Sequence, residues 1–292
     1  MAGKMHADEV DTDPSLVACL LADQFPGWAE LSLAPVASAG TDNALYRLGD
    51  EMAVRLPRIY WAVGQVEKEL RWLPKLAPHL PLAIPQPLAM GEPGHGYPWR
   101  WGVYGWLEGE TAIPGRMADS RQTAVDLAEF VAAIQRLDPT DAPAGRGVPL
   151  AQRDAAVRTA IAALRDSYDA ETLTAAWETA LRTPPWPGRP VWHHGDLQAG
   201  NLLARNGRLA AVIDFGCTGV GDPACDVMAA WLYLSADTRQ IFRDVLQVDD
   251  DTWARAKGWA LSMGLMALPY YRTTNPVLAA IGRRAIDEVL AD

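Results

Sequence analysis

The chain has 292 residues, of which 49% are hydrophobic and 21% charged. These proportions are typical of globular proteins and exclude wholesale disorder. A chain of this length suits two lobes, because single hydrophobic cores stop growing at about 250–300 residues. The formal net charge of −10 disfavours general nucleic-acid binding, because such a surface repels phosphates.

The sequence also carries information about the compartment. It contains no run of about 18 apolar residues, so no membrane span is expected. Acidic residues near the N-terminus, without an apolar signal core, argue against secretion. The three cysteines are odd in number, which predicts reduced thiols. We therefore expect a cytoplasmic protein that is a monomer by default.

The first third of the sequence predicts a small antiparallel sheet with two helices. Asp13 and Pro14 suit the cap and the first position of a helix over residues 14–30. Polar turns then separate three short apolar runs, which predicts an antiparallel meander. Helical spacing follows, interrupted by Pro74, and alternation near residue 100 predicts another pair of strands. The strands are expected at residues 31–39, 44–48, 52–56 and, as a pair, 99–107, and the second helix at 66–76.

After about residue 110 the pattern becomes helical. An apolar face with helical spacing predicts a helix over residues 123–137. Further helices are expected, two within 151–181 and others over 226–247 and 251–291, with breaks near Pro269 and Pro276, and a short strand at 191–192. The layout predicts an N-terminal lobe over residues 1–104, a hinge over 105–110 and a helical lobe over 111–292.

The segment from Trp192 to Asp226 carries most of the chemistry. Asn206-Gly207 separates two apolar runs and is the strongest two-residue hairpin signal, because both positions need positive φ. Folding this hairpin returns Asp214 to the neighbourhood of Asn201, and Asp196 precedes Asn201 by five residues. We therefore expect three oxygen-bearing side chains at one end of the hairpin.

Those three side chains suit phosphate chemistry with Mg²⁺, which prefers hard oxygen ligands. Asn201 and Asp214 can supply such ligands, which leaves Asp196 to accept a proton from an attacking hydroxyl. The spacing of His194, Asp196 and Asn201, followed by Asp-Phe-Gly at residues 214–216, matches the kinase signature. Both halves in this order favour a phosphotransferase.

The motifs HGDLQAGN, VIDFG and GDPACD resemble those of the aminoglycoside phosphotransferase and choline-kinase-like superfamily, which shares the protein-kinase fold. The resemblance covers roughly residues 35–290. It implies an α+β, bilobal protein-kinase-like fold, with a small antiparallel-sheet N-lobe of five strands and a larger helical C-lobe. ATP or GTP would bind between the lobes with Mg²⁺, and the acceptor would be the hydroxyl of a small molecule.

The resemblance also implies a nucleotide site in the N-terminal lobe. The nucleotide would lie under a loop that includes Gly40, Thr41 and Asn43. Arg55 would hold its phosphates and Glu69 would orient Arg55, with Arg58 and Glu67 as the rival pair members. The base would lie against the hinge backbone near Tyr104 and Trp106.

Two positions depart from the family pattern. Arg55 stands where many members have lysine, and Gln198 stands where members often have histidine. These departures keep open a nucleotide-binding pseudo-enzyme, although intact Asp196, Asn201 and Asp214 argue against it.

Other interpretations of the same motif stay open. A metallohydrolase site built from His193, His194 and Asp196 is a weaker alternative, because the spacing lacks the usual pattern of zinc ligands. We expect His194 to be structural, and Asp222 and Asp226 to tie the loop to the following helix.

The acceptor is left open, since fold and catalytic motif do not fix the substrate. Aminoglycosides, macrolides, choline-like amines, amino-alcohols and sugars are all candidates. The acidic net charge leans slightly toward a polycationic aminoglycoside. Family members place the acceptor near late helices, where Trp259, Tyr270 and Tyr271 lie, although each is expected to be core.

Overall fold

The computed structural model of the protein describes residues 8–37 and 40–292. The chain divides into two compact units. The first comprises Met1–Pro78 and Ala83–Glu108, and the second comprises His79–Leu82 and Gly109–Asp292. Within the described residues, every helix is too short or too polar to cross a bilayer.

The first unit is built on one antiparallel sheet. Its elements in chain order are α1 (Pro14–Gln24), β1 (Leu33–Pro35), β2 (Asn43–Leu48), β3 (Met52–Pro57), α2 (Gln65–Leu76), β4 (Pro87–Gly91) and β5 (Trp101–Gly105). The strand order is β1-β2-β3-β5-β4, and all neighbours are antiparallel. The predicted meander and the five-stranded sheet are thus confirmed.

One face of this sheet forms the core of the unit together with α1. Alternate residues of the three central strands join the buried face of that helix: Val17, Leu20, Leu21, Tyr46, Leu48, Val54, Leu56, Trp101 and Val103. Because successive side chains of a strand point to opposite faces, Arg55 lies on the other face of β3. The alternation that puts Val54 and Leu56 in the core therefore puts Arg55, the predicted phosphate-binding residue, on the opposite face.

Helix and strand boundaries differ from the prediction at several places in this unit. α1 ends at Gln24, well before residue 30, because Pro26 follows two residues later and cannot continue the helix. The strand β1, Leu33–Pro35, is shorter than the strand predicted over residues 31–39. Residues 38–39 of that prediction lie outside the described part of the chain. The helix α2 does not stop at Pro74 but continues to Leu76. Proline has no N–H, so one hydrogen bond of the last turn is missing.

The predicted pair of strands within residues 99–107 was wrong. That segment holds the single strand β5, and its partner β4 lies at Pro87–Gly91, in a segment rich in proline and glycine. β4 is an edge strand, where proline is tolerated.

The second unit is mostly helical. Its elements are β6 (Glu110–Thr111), α3 (Ser120–Gln135), α4 (Asp154–Ala163), α5 (Ala170–Arg182), β7 (Val191–His193), β8 (Leu202–Arg205), β9 (Arg208–Val212), β10 (Gly219–Gly221), α6 (Ala224–Val227), α7 (Ala229–Leu232), α8 (Ala236–Leu246), α9 (Asp250–Tyr271) and α10 (Pro276–Ala291). The strands form two small sheets, β6-β8-β9 and β10-β7. The α+β class is confirmed.

Capping explains why the long helices begin where they do. Asp119, Asp169, Asp249 and Asn275 each accept a hydrogen bond from a backbone amide of the first turn of α3, α5, α9 and α10. The acidic run Asp249-Asp250-Asp251 therefore forms the start of α9. The expected break near Pro269 was misplaced, because α9 continues through it to Tyr271.

Candidate active site

The hairpin that carries the kinase-like motif forms as predicted. Asn206 and Gly207 adopt φ values of 54° and 73°, which is the left-handed backbone of a type I′ turn. β8 and β9 pair in antiparallel register from Leu202 opposite Val212. Beyond that pair, the amide of Ile213 donates to the carbonyl oxygen of Asn201 at 2.9 Å. The residue after Ile213 is Asp214, so the strand pairing brings Asp214 to the level of Asn201.

Asn201 is bonded directly to Asp196. Its Nδ2 donates to the Asp196 carboxylate oxygen Oδ2 at 2.8 Å and to the Asp196 backbone oxygen at 2.9 Å. These bonds fix the orientation of the amide, because its nitrogen faces Asp196 and its Oδ1 faces elsewhere. Asp196 itself is half-buried, with 24% of its side chain exposed, so a substrate hydroxyl can approach it. The structure thus brings Asp196, Asn201 and Asp214 together.

Asn201 and Asp214 carry oxygen atoms of the kind that bind magnesium in proteins. Asp214 has a left-handed backbone with φ of 64°, uncommon for a residue other than glycine. Its Oδ1 accepts a weak bond from the amide of Gly216 at 3.4 Å. An amide oxygen with its nitrogen turned away and a neighbouring carboxylate are hard ligands of the kind that Mg²⁺ takes.

The loop before Asp196 is held by a buried carboxylate. Asp226 is fully buried, and its two oxygens accept from the backbone amides of His194 and Gly195, each at 2.7 Å. Gly195 has φ of 86°, and a Cβ there would lie 2.9 Å from the carbonyl oxygen of Cys217. Asp226 therefore ties the loop before Asp196 to α6, whereas the sequence predicted a tie for the loop that follows residues 214–216.

The two histidines serve the backbone. Nε2 of His194 lies 3.0 Å from the Ile213 carbonyl oxygen, and its Nδ1 accepts from the amide of Asp196 at 3.2 Å. Nε2 of His193 accepts from the amide of Gly147 at 3.1 Å, and burial lowers the pKa of His193. Three of the four ring nitrogens are thus committed to backbone groups. This geometry contradicts a metallohydrolase site of His193, His194 and Asp196, and it confirms the structural role of His194.

Sequence reasoning missed Arg146. Its Nη1 donates to Oδ1 of Asp196 at 3.0 Å and to the backbone oxygen of Gly195 at 3.1 Å. The carboxylate of Asp196 is therefore held on one oxygen by Arg146 and on the other by Asn201. Arg146 lies in a loop rich in proline and glycine, 50 residues before Asp196, and nothing in the local pattern marks it.

The segment around Arg146 is fastened to β10. The amide of Gly145 donates to the Val220 carbonyl at 3.0 Å, and the amide of Asp222 donates to the Gly147 carbonyl at 3.0 Å. A Cβ on Gly147 would lie 2.8 Å from Nε2 of His193, so the close approach depends on glycine. Glycine spacing within that loop was the one sequence signal for a segment packed closely against other backbone.

The side chain of Gln198 bonds to the backbone of its own loop. Its Oε1 accepts from the amide of Gly200 at 2.7 Å and caps a short turn, and the residue is 9% exposed. The positive charge beside Asp196 is instead that of Arg146.

In the first unit, Arg55 belongs to a buried polar cluster on the sheet face opposite the core. Its Nη1 lies 2.6 Å from Oε1 of Glu69, and Tyr104 donates its hydroxyl to Oε2 of Glu69 at 2.6 Å. Gln65 also accepts from Arg55, and the side-chain amide of Asn43 lies 2.9 Å from Nη2 of Arg55. The expected pair of Arg55 and Glu69 is thus formed.

The rival pair members have other partners. Arg58 pairs with Glu9, and Glu67 lies 3.4 Å from Arg100. The geometry therefore favours the assignment of Arg55 and Glu69 over the alternatives.

The remaining candidate residues of the first unit lie at its loops and at the end of β5. Gly40 and Thr41 precede β2, and the Thr41 hydroxyl donates to Asp42 at 3.0 Å. The amide of Trp106 donates to the Glu51 carbonyl at 2.7 Å, so that amide is already occupied. These candidate nucleotide residues belong to the first unit, whereas Asp196, Asn201 and Asp214 belong to the second. The contacts of the first group with a nucleotide stay a prediction.

Comparison with known proteins gives a family and a fold. The model of the phosphotransferase enzyme family (APH) matches residues 34–259. That range contains Arg55, Glu69, Arg146, Asp196, Asn201 and Asp214. The comparison with curated proteins found no match.

Solved structures similar to this chain include aminoglycoside and macrolide phosphotransferases. The GDP complex of aminoglycoside 2'-phosphotransferase-IIIa is 18% identical with a TM-score of 0.73, covering 96% of this chain and 99% of that chain. A GDP and kanamycin complex of an APH(2") enzyme is 20% identical with a TM-score of 0.72, covering 94% and 98%. Macrolide 2'-phosphotransferase MphH from Brachybacterium faecium, as apoenzyme, is 24% identical with a TM-score of 0.60, also covering 94% and 98%.

These likenesses confirm the expected kinase-like fold. The family match extends over more than three quarters of the chain and includes the whole Asp196 motif. The chain therefore belongs to the phosphotransferase enzyme family, and it is a small-molecule phosphotransferase.

Proposed function

We propose that this enzyme transfers the γ-phosphoryl group of ATP or GTP to a hydroxyl of a small molecule in the cytoplasm, with Mg²⁺. The observation that carries the proposal is the hydrogen bond between Asn201 and Asp196 at the end of a hairpin that also presents Asp214. Similar folds that hold GDP, or GDP with kanamycin, support a nucleotide co-substrate and a small acceptor.

Asp196 is the proton acceptor in this proposal. The acceptor's hydroxyl gives its proton to a carboxylate oxygen of Asp196, while its oxygen forms a bond to the γ-phosphorus. The bond between that phosphorus and the bridging oxygen of the nucleotide breaks. Arg146 and Asn201 fix the carboxylate in one orientation, which matters because phosphoryl transfer depends mainly on positioning and charge stabilisation.

Asn201 and Asp214 are the residues that would hold Mg²⁺, which neutralises phosphate charge when bound. Arg55 binds the α- and β-phosphates through its guanidinium, since the planar fork suits phosphate oxygens. Glu69, with Tyr104 donating to its second oxygen, keeps Arg55 oriented.

A nucleotide-consumption screen tests this function. The purified protein is incubated with ATP or GTP, MgCl₂ and a panel of aminoglycosides, macrolides, amino-alcohols, sugars and hydroxy acids. We expect at least one acceptor to raise nucleotide consumption and to gain a phosphate by mass spectrometry, and Asp196→Asn to lower the rate of both by about 10²–10⁴-fold. A nucleotide-binding pseudo-enzyme would bind ATP or GTP without turnover across the whole panel.

Replacement of Asp214 by alanine should remove the magnesium dependence of nucleotide binding, because it deletes the carboxylate of the proposed ligand set. We expect calorimetry to show the same nucleotide affinity with MgCl₂ as with EDTA in this variant, whereas the wild type differs between the two. Asp244→Ala, an exposed aspartate, is the matched control. Retained magnesium-dependent affinity in Asp214→Ala would contradict the assignment.

A further inference from the structure

Arg153 lies across one face of α9, close to Asp196, the proposed proton acceptor. Trp259, Ser262, Met263 and Met266 share that face, since they are spaced by three and four residues. The guanidinium of Arg153 stacks on the Trp259 ring at 4.6 Å. Its Nε donates to the Ser262 hydroxyl at 2.5 Å, and its Nη2 contacts the sulfur atoms of Met266 and Met263 at 3.1 and 3.7 Å.

Met263 connects this arginine to the candidate active site. The Met263 sulfur also lies 3.8 Å from Nη1 of Arg146, and the same nitrogen lies 3.0 Å from Oδ1 of Asp196. Three successive contacts of 3.8 Å or less therefore lead from Arg153 to Asp196. All of these residues belong to the second unit.

Arg153 has no counter-ion among the described residues. No carboxylate of the described chain lies within ion-pair distance of it. The carboxylate of the adjacent Asp154 accepts from Arg158 at 2.9 Å and from Trp177 at 2.8 Å instead. Burial and the charge of Arg146 lower the pKa of Arg153 to about 10, and it still carries its charge at neutral pH. A partly buried guanidinium with only a hydroxyl, two thioethers and a ring around it is poorly compensated.

We infer that the acceptor is a hydroxyl compound with an anionic group, such as a carboxylate, which Arg153 binds while the hydroxyl faces Asp196. The inference rests on the proposed function and narrows its acceptor class. An anion paired with the planar fork of Arg153 supplies the missing counter-charge. The thioethers and the indole face favour an apolar linker between the two groups of the acceptor.

The local charge also disfavours a polycationic acceptor. Two guanidiniums, those of Arg146 and Arg153, contact Met263 on this side of the site, and the carboxylate of Asp196 pairs with Arg146. The acidic net charge of the whole chain pointed toward an aminoglycoside, but interactions between exposed charges more than about 10 Å apart are screened. The charges beside the reacting group therefore outweigh the distant ones.

The test compares acceptors that differ only in charge. The probes are 6-hydroxyhexanoate and 10-hydroxydecanoate, the methyl ester of each, and kanamycin, with kcat/KM measured by nucleotide consumption. In the wild type we expect each acid to exceed its ester by at least about tenfold and kanamycin to be no better than the esters. Arg153→Gln should bring the acid-to-ester ratio near one, and Arg153→Lys should restore most of it.

Arg165→Gln, at an exposed arginine, is the control and should keep the wild-type ratio. A higher kcat/KM with kanamycin or the esters than with the acids, or an unchanged ratio in Arg153→Gln, overturns the inference. The ratio is informative because a merely structural role of Arg153 would lower both values together.

A binding measurement tests the anion site at Arg153 independently of the proposed function. Calorimetry with each acid and ester, in the presence of a non-hydrolysable nucleotide, needs no turnover. The anion site is supported when an acid binds more tightly than its ester and this difference is lost in Arg153→Gln. If no acceptor in the wider screen is phosphorylated, that result contradicts the proposed function but leaves the anion site supported. Equal or undetectable binding of acids and esters, with none of the probes phosphorylated, overturns the anion site.

Discussion

Asp196→Asn should lower turnover by about 10²–10⁴-fold, the usual contribution of a general base. The substitution removes proton acceptance but keeps the size of the side chain. An asparagine oxygen can still accept one of the two hydrogen bonds that Arg146 and Asn201 donate to the aspartate. The variant should therefore fold, and its nucleotide affinity should stay close to that of the wild type, because the loss lies in the chemical step.

Three measurements on this variant separate chemistry from binding and folding. Turnover with the best acceptor of the screen reports the chemical step, calorimetry with nucleotide reports binding, and thermal melting reports folding. Asp166→Asn, at an exposed aspartate, is the matched control and should retain full turnover. If Asp196→Asn turns over at a rate near that of the wild type, Asp196 has no part in the mechanism.

The local part of this site could be predicted from the sequence. Asn206-Gly207 dictates the hairpin, and the hairpin determines which residues lie at its open end. The distances in the chain from Asp196 to Asn201 and Asp214 are short, so one turn is enough to bring them together. The same holds for the alternation in β3, which places Arg55 and its neighbours Val54 and Leu56 on opposite faces of the sheet.

The parts that were missed depend on contacts between distant segments. Arg146 reaches Asp196 only because its loop is hydrogen-bonded to β10, and Arg153 reaches the site only because α9 packs beside it. Neither pairing leaves a periodic pattern in the sequence. The strand β4 was missed for a related reason, since its flanking prolines suit an edge strand that only the neighbouring β5 makes recognisable.

The net charge of the chain could not predict the acceptor either. The net charge of −10 is a property of the whole surface, whereas the acceptor meets the few groups beside Asp196. Those groups include Arg146 and Arg153, which come from one loop and the short turn that follows it. A sequence count cannot distinguish these arginines from exposed ones, and the preference for an acceptor therefore had to come from the geometry.

Asp226→Ala should cause the largest loss of stability among these variants. The carboxylate is fully buried and accepts two backbone hydrogen bonds, from His194 and Gly195. Removing it leaves two buried N–H groups without partners, at about 1–3 kcal/mol each, so we expect the free energy of unfolding to fall by about 2–6 kcal/mol. Turnover should fall as well, because Asp196 directly follows Gly195.

Asp226→Asn distinguishes the hydrogen bonds from the space that the side chain fills. Asparagine keeps one acceptor oxygen but replaces the other with an amide group that cannot accept, so one of the two backbone bonds is lost and about half of the destabilisation should appear. Denaturant titration of both variants, beside Asp251→Ala at an exposed position, measures these differences. An unfolding free energy for Asp226→Ala equal to that of Asp251→Ala would show that the loop around Asp196 is held by other contacts.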